Sequence, residues 1–363
     1  MAQCFEVNRS NLRDTRIRDW QPAELAPGHV RLAVERFAFT ANNISYAVAG
    51  DMLDYWGFFP ANAPWGRIPT MGLGTVVESA NPEIATGGRY FGFYPMATEH
   101  VLEARAKSTG FADIGVHRTH HAAAYTSFID VGNDPSFPDD RLDEALLLRG
   151  LFMTSFLVDD FLADNQFFGA EQTLVTSASS KTSVALAHCL AIRGHHSVGV
   201  TSAPNRGFVE QLGLYDEVIL YDDIETLVAA VPSAVVDMAG DARVRARIHG
   251  HFDGTLTHSC QVGATHWEER DTDDGAALPG PAPTFFFAPT QMAKRNDDWG
   301  PGEFNTRVGE ALDVFLEGAP TWLTVERSAG PEAVERVYRD ALEGRTSPDT
   351  GQILSMSGDA FAG

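Results

Sequence analysis

Residues 171–194 read EQTLVTSASSKTSVALAHCLAIRG, and this stretch decides how the rest of the chain is read. A short apolar strand, 172–176, enters a tight turn and leaves it as a segment with apolar residues at helical spacing. Strand, turn and helix in this order form the phosphate corner of a nucleotide-binding α/β unit. Such a corner ordinarily carries small-x-x-Gly-x-x-Gly. Here the three places hold Ser177, Ser180 and Ser183, with Lys181 among them and no glycine in the turn. Glycine serves such a turn by bending tightly, by letting backbone N–H groups approach a pyrophosphate, and by letting helix and strand pack closely. Serine is among the smallest substitutes. Ser183 suits the packing role, Ser180 offers a hydroxyl near the phosphate, and Lys181 adds charge at a helix N-terminus that already favours anions. Ser177, Ser179 and Thr182 complete the expected cradle. The competing reading is a closed turn in which Ser180 or Thr182 simply caps the helix. A Walker-type reading of Ser180-Lys181-Thr182 fails, because its glycines are missing.

Working outward, HSVGVTS (196–202), EVILYDD (217–223), AVVDMAG (234–240), GTLTHSCQVG (254–263) and TFFFAP (284–289) alternate with helical segments. With 172–176 they make six strands with short crossovers, the pattern of a doubly wound parallel sheet. Upstream, 28–43, 68–81 and 87–104 alternate apolar residues between Gly and Pro, as short strands of a small β-barrel do. Residues 105–143 look like an irregular connector, and 144–165 like an apolar helix. A helix near 303–317, a strand 323–327, a helix 331–344 and a last strand beginning at Gly351 follow. The fold class is therefore α/β. One domain comprises 1–143 and 297–363, and a dinucleotide-binding domain comprises 144–296.

Composition narrows the partners. The chain has 363 residues, 44% of them hydrophobic, and a net charge of -22. That length suits two domains. The acidity argues against nucleic acid as a partner, which requires a basic face. No apolar run reaches the ~20 residues that span a bilayer, and residues 1–20 lack the apolar core of a secretory signal. Cys4, Cys189 and Cys260 are too few and too scattered for a disulfide framework. A cytoplasmic protein without membrane partners is expected. Only three of the 27 basic residues are lysines, and one of them is Lys181 in the turn.

The end of the second strand distinguishes between cofactors. NAD sites usually place an acid there for the ribose 2′-hydroxyl. This strand runs into Thr201-Ser202-Ala203-Pro204-Asn205-Arg206, with hydroxyls, an amide and an arginine but no acid. That suits a 2′-phosphate, hence NADP, although an exposed arginine in a surface turn would look the same. Tyr221, ending the third strand, is a candidate contact for the adenosine. His258-x-Cys260 with His266 reads as core and loop more readily than as a metal site. His117, His120 and His121 read as a solvated surface group.

In this order of elements the chain resembles the medium-chain dehydrogenase/reductase superfamily, particularly its zinc-free quinone oxidoreductase and enoyl reductase branch, and also an uncharacterised bacterial and fungal branch. The resemblance rests on FTANNISYAVAG (39–50), where Asn42 matches the branch's Asn and Ser45 stands at its Asp; on PTMGLGTVVES (69–79); on Gly88-Arg89-Tyr90-Phe91-Gly92, where Gly-Asp-Arg-Val is usual; on GLFMTSFLVDDFL (150–162); and on VVDMAG and QVGAT. It implies a GroES-like barrel beside a Rossmann sheet. It also implies that Thr154 approaches the nicotinamide ribose and that the backbone at Gly263 passes the nicotinamide amide. The Cys/His set of the zinc members is missing.

The same resemblance points to a tyrosine proton donor in AVAGDMLDYWGFFPANAPWG (47–66) or close to it. Tyr55 is the first candidate and Tyr46 the second, with Tyr94 a third. Tyr55, Trp56, Phe58, Phe59 and Trp65 suit a flat apolar or aromatic small-molecule substrate, and equally a core or a dimer contact. Lys294 and Arg295 are candidates for an anion or for a solvated helix start. The expected activity is zinc-independent, NADPH-dependent reduction of an activated alkene, quinone or carbonyl. The alternative is a cofactor-free binding or scaffold protein that keeps the fold. A homodimer is expected from the resemblance, through TFFFAP, which also has the look of a buried central strand.

Overall fold

In the computed structural model of the chain, residues 1–361 are described apart from 22–23, 133, 135–136, 138, 239 and 263–277. The chain divides into two compact units, Met1–Leu147 with Leu323–Gly363, and Leu148–Trp322.

The first unit begins with an antiparallel hairpin, β1 (Ala2–Asn8) and β2 (Asn11–Trp20), to which the two-residue β4 (Trp65–Gly66) adds. The six strands β3 (His29–Phe39), β5 (Pro69–Ser79), β6 (Arg89–Pro95), β9 (Ser127–Asp130), β8 (Gly110–Asp113) and β7 (Glu99–Lys107) pair in that order, and β7 pairs back to β3. The sheet closes into an antiparallel barrel, which removes its edges. Residues 105–143, expected as an irregular connector, thus contribute β8 and β9, together with the one-turn helix α2 (Ala123–Thr126). Strands of four residues carry too little alternation to be read alone; their long-range partners define them. Helix α1 (Ala41–Val48) follows β3 and is held by a capping box between Thr40 and Asn43.

In the second unit, α3 (Leu142–Asp164, which begins in the first) leads to β10 (Gln172–Thr176), α4 (Lys181–Arg193), β11 (His196–Thr201), α5 (Arg206–Leu212), β12 (Glu217–Leu220), β13 (Ser233–Asp237), α6 (Ala242–His251), β14 (Leu256–Gln261) and β15 (Thr284–Phe285). All six strands are parallel, in the order β12-β11-β10-β13-β14-β15. Every residue of β10 and of β13 is buried, as in a sheet covered on both faces. Successive strands are added to one side from β10 and to the other from β13, so the switch point lies at the carboxyl ends of these two strands. The TFFFAP segment forms a two-residue edge strand with Phe285 and Phe287 exposed, not a buried central strand. Ala288 already starts α7 (Ala288–Trp299). Helix α8 (Pro301–Gly318), expected with the first domain, joins the second unit because Phe304 and Val308 pack on Leu157 of α3.

The connection from α3 to β10 turns the wrong way for L-residues. Gln166, Phe167 and Phe168 have φ of 53, 51 and 55° before Gly169 at 79°. Phe167 stacks on His195 at 3.6 Å between ring centroids, and Phe168 on His258 at 3.8 Å. His258 and Cys260 are core residues, while His266 lies outside the described residues.

The last elements, β16 (Thr324–Ala329), α9 (Pro331–Leu342) and β17 (Thr350–Ser355), return to the first unit, where β17 pairs with β3. Tyr338 of α9 packs on Phe5 and donates its hydroxyl to the carbonyl of Leu12.

Candidate functional site

The serine turn sits at the carboxyl end of β10, beside the switch point. Ser177 takes the left-handed conformation, φ 51°, that a glycine ordinarily supplies in such a bend. Its N–H donates to the Tyr221 hydroxyl at 2.9 Å, and burial pushes that phenol up to about 12. Ser183 is fully buried. It donates its hydroxyl to the Thr176 carbonyl at 3.1 Å and fixes the first turn of α4 against β10. Ser180 is the N-cap of α4: its hydroxyl oxygen accepts the Ser183 N–H at 3.1 Å and lies 2.8 Å from the Ser183 hydroxyl. In this structure the Ser180 hydroxyl is engaged by the helix it starts. Lys181 opens α4 and is half-buried, as is Thr182; the Thr182 carbonyl accepts the Ser155 hydroxyl at 2.7 Å. The carbonyls of Ala178 and Ser183 both accept the Tyr215 hydroxyl. A Cβ on Gly199 of β11 would lie 2.9 Å from the Tyr215 ring, so glycine is needed there rather than in the turn.

The second-strand end converges on the turn. Asn205 donates its side-chain N–H to the Ser179 hydroxyl at 3.0 Å. The Thr201 hydroxyl is buried and has no hydrogen-bond partner among the described residues. Ser202 is half-buried. Arg206 is exposed and pairs with Glu210 at 2.7 Å, one helical turn on. Across the switch point, buried Asp237 accepts the Thr176 hydroxyl (2.9 Å) and pairs with Arg245 (3.1 Å). Asp237 went unnoticed in the sequence because an acid at the end of a buried strand has no local signature. Thr154 is half-buried in α3 and donates to the Gly150 carbonyl. Gly263 lies outside the described residues. Lys294 and Arg295 belong to α7, where Arg295 is buried against Asp160 (2.6 Å) and Lys294 bonds Asp298 (2.6 Å). They form a helix–helix ion-pair network.

In the first unit, the aromatic residues form a stack. Tyr46 of α1 lies on Tyr55 with centroids 4.4 Å apart, and Tyr55 on Phe58 at 5.7 Å. Tyr55 is buried with its ring edge to face with that of Tyr125, centroids 6.4 Å apart, and Tyr46 is half-buried. Burial pushes both phenols well above the ordinary range. Tyr94 is fully buried and donates to the Tyr90 carbonyl at 2.8 Å, which removes it as a donor to substrate. Trp56 fills the space left by Gly50 and Gly66, and Trp65 lies under the Arg16 guanidinium; both are structural. Beneath the stack, Arg118 and Asp113 form an ion pair (3.2 Å) with both side chains fully buried. Arg118 also donates to the carbonyls of Phe58 and Tyr125, tying together the two segments that carry Tyr55 and Tyr125. Of the histidines expected as a solvated surface group, His120 is exposed and His121 has a buried side chain, and both meet Asp54, at 2.5 and 3.2 Å.

The family described as a protein of unknown function (DUF2855) matches residues 37–347. The chain belongs to that family. No curated protein matches the sequence. Among solved structures, CurA from Vibrio vulnificus in complex with NADPH is similar over 98% of this chain and 99% of its own, with 14% identity and a TM-score of 0.64. The YhdH oxidoreductase from Salmonella enterica in complex with NADP covers 97% and 99% at 14% identity and a TM-score of 0.56. A quinone oxidoreductase from Pseudomonas syringae covers 97% and 100% at 15% identity and a TM-score of 0.56. At such identities the likeness establishes the fold. This family member thus has a GroES-like barrel and a Rossmann-like sheet, the fold of those structures.

Proposed function

We propose that the chain is an NADPH-dependent, zinc-independent oxidoreductase that reduces an activated alkene, quinone or carbonyl on an apolar or aromatic small molecule. The observation that carries this reading is the serine turn. It keeps the left-handed bend at Ser177 and the close helix packing at Ser183 that a dinucleotide corner requires, at the switch point of the sheet. The NADPH and NADP complexes of proteins with this fold support it. The cofactor's diphosphate would lie at the N-terminus of α4, with Lys181 beside it. Its 2′-phosphate would lie at the end of β11, where the orphan Thr201 hydroxyl, Ser202 and Asn205 stand and Arg206 is one side-chain rotation away from its Glu210 partner. Thr154 and Gly263 are proposed to border the nicotinamide, and Tyr221 the adenosine.

Bound NADPH supplies the hydride. The protein's own task is to hold a proton at the substrate oxygen. Tyr46 is the better placed phenol, because it is half-buried, whereas Tyr55 is buried between Tyr46 and Phe58. Both stay protonated at neutral pH, which suits a hydrogen-bond donor to an oxygen that gains charge. The three cysteines are buried on β1, α4 and β14, and burial raises their thiols, so none offers a ready thiolate ligand. A homodimer through the β15 edge suits exposed Phe285 and Phe287. Free cysteines suit a reducing cytoplasm.

The test is spectrophotometric oxidation of NADPH against a quinone, an α,β-unsaturated ketone and an aldehyde. Turnover is expected with at least one, and Tyr46→Phe should lower kcat by ~10²-fold with the KM for NADPH unchanged. Full activity in Tyr46→Phe removes that role. The second reading, a cofactor-free protein with a closed turn, is favoured by the Ser177 N–H and Ser180 hydroxyl already being engaged within the fold. It predicts that no nicotinamide cofactor is oxidised or bound.

A further inference from the structure

We propose that Asp54, His120 and His121 form a binding site for one divalent transition-metal ion of the zinc class. The three ligand atoms, a carboxylate oxygen and two imidazole nitrogens, lie within 4.8 Å of one another. This site belongs to the first unit, shares no residue with the serine turn and does not depend on the nicotinamide reading.

The geometry is that of a point rather than of a surface ion pair. A carboxylate balancing two imidazolium groups can spread them over its two oxygens. Here both Nε2 atoms approach the same Oδ2, His120 at 2.5 Å and His121 at 3.2 Å, and His121 Nε2 also meets the Asp54 carbonyl at 3.3 Å. The two imidazoles are adjacent in sequence, with ring centroids 4.2 Å apart, so charging both is unfavourable. Imidazole with carboxylate suits zinc, cobalt, nickel and copper far better than magnesium or calcium. Three protein ligands on an open surface leave the remaining positions to water.

Each arm is held in place by the core. Asp54 has φ 54°, a left-handed conformation uncommon outside Gly, Asn and Asp, and the buried Trp56 follows two residues later. Gly57 leaves room for this arm: a Cβ there would lie 2.4 Å from the Asp54 carboxylate and would displace it. On the other arm, buried Arg118 anchors the turn that delivers both histidines. The side chain of His121 is only 6% exposed and stacks flat on Phe58, with centroids 4.0 Å apart and 12° between planes. A free ion pair at the surface has no need of such support. An ion here would clip the segment carrying Tyr55 to the segment carrying Tyr125, and stabilise their stack by mass action.

The experiment uses the untagged full chain, freed of metal with a chelator and titrated with Co²⁺ and Zn²⁺ in the absence of nicotinamide cofactor. Visible Co²⁺ bands saturating at one ion per chain, displaced by Zn²⁺, and a Zn²⁺-dependent rise in Tm are expected. Both should be lost in His120→Ala, whose side chain is exposed, and in Asp54→Asn, which keeps a residue that tolerates the left-handed backbone. His117→Ala should bind as wild type does. An ion pair only, with no saturable Co²⁺ spectrum, overturns the proposal; so does unaltered binding in both His120→Ala and Asp54→Asn.

Discussion

The serine turn and the tyrosine–histidine cluster solve opposite problems. In the turn much of the bonding is local: Ser180 and Ser183 bond to each other and to Thr176, while Tyr215, Tyr221, Asn205, Ser155 and Asp237 reach in from other elements. In the cluster the ties that join its two segments are long-range. Asp54 meets His120 and His121 across 66 and 67 positions of sequence, and Arg118 reaches Phe58 across 60. A local device rests on backbone conformation and capping. A long-range device rests on burial and on a charge that must not lose its partner. The two regions should therefore fail differently.

The largest effect is expected at Arg118. Arg118→Ala leaves Asp113 charged and buried without its partner, and should cost about 3–5 kcal/mol in chemical denaturation. A cost below ~1 kcal/mol would mean that the cluster is not built around this pair. Second is a pH effect. Burial, followed by the nearby Arg118, pulls the His100 imidazole down to about 3 from its ordinary 6.5. The unfolded chain then binds the extra proton first, so stability is retained above about 6.5 and falls as the pH drops toward 3. His100→Leu should remove on the order of 3 kcal/mol of the stability difference between about pH 7 and pH 4. Parallel stability–pH curves for the two proteins would refute this.

Effects in the turn should be smaller and conformational. Ser177→Val places a β-branched residue at φ 51° and should be less stable than Ser177→Gly by ~1–2 kcal/mol. Equal stabilities would show that the bend relaxes. Ser180→Ala removes the N-cap of α4 at a cost of ~1 kcal/mol, to be read from the same denaturation curves.

The contrast also explains what was legible in the sequence. Strand 172–176, the start of α4 at Lys181 and the six-strand sheet follow from period and spacing, because parallel strands and their crossovers are written locally. Strands β8 and β9 were hidden: each has four residues, and only barrel closure defines them. Tyr46 and Tyr55 could be nominated, but their stack, the Tyr125 ring against Tyr55 and the commitment of Tyr94 to a backbone carbonyl needed the fold. The aromatic run 55–65 likewise divided into a stack and two structural tryptophans for reasons of neighbouring space, which a single chain does not spell out.

The central claim is that a turn without glycine still serves as a phosphate cradle. Isothermal titration of the protein with NADPH and with NADH tests it most directly, with Lys181→Ala alongside. Saturable NADPH binding, NADH much weaker, and a loss of ~10-fold or more in Lys181→Ala are predicted, since a hydrogen bond to a charged group contributes ~1.5–3 kcal/mol. No heat of binding from either cofactor at millimolar concentration would contradict the account and leave the turn as a closed structural corner.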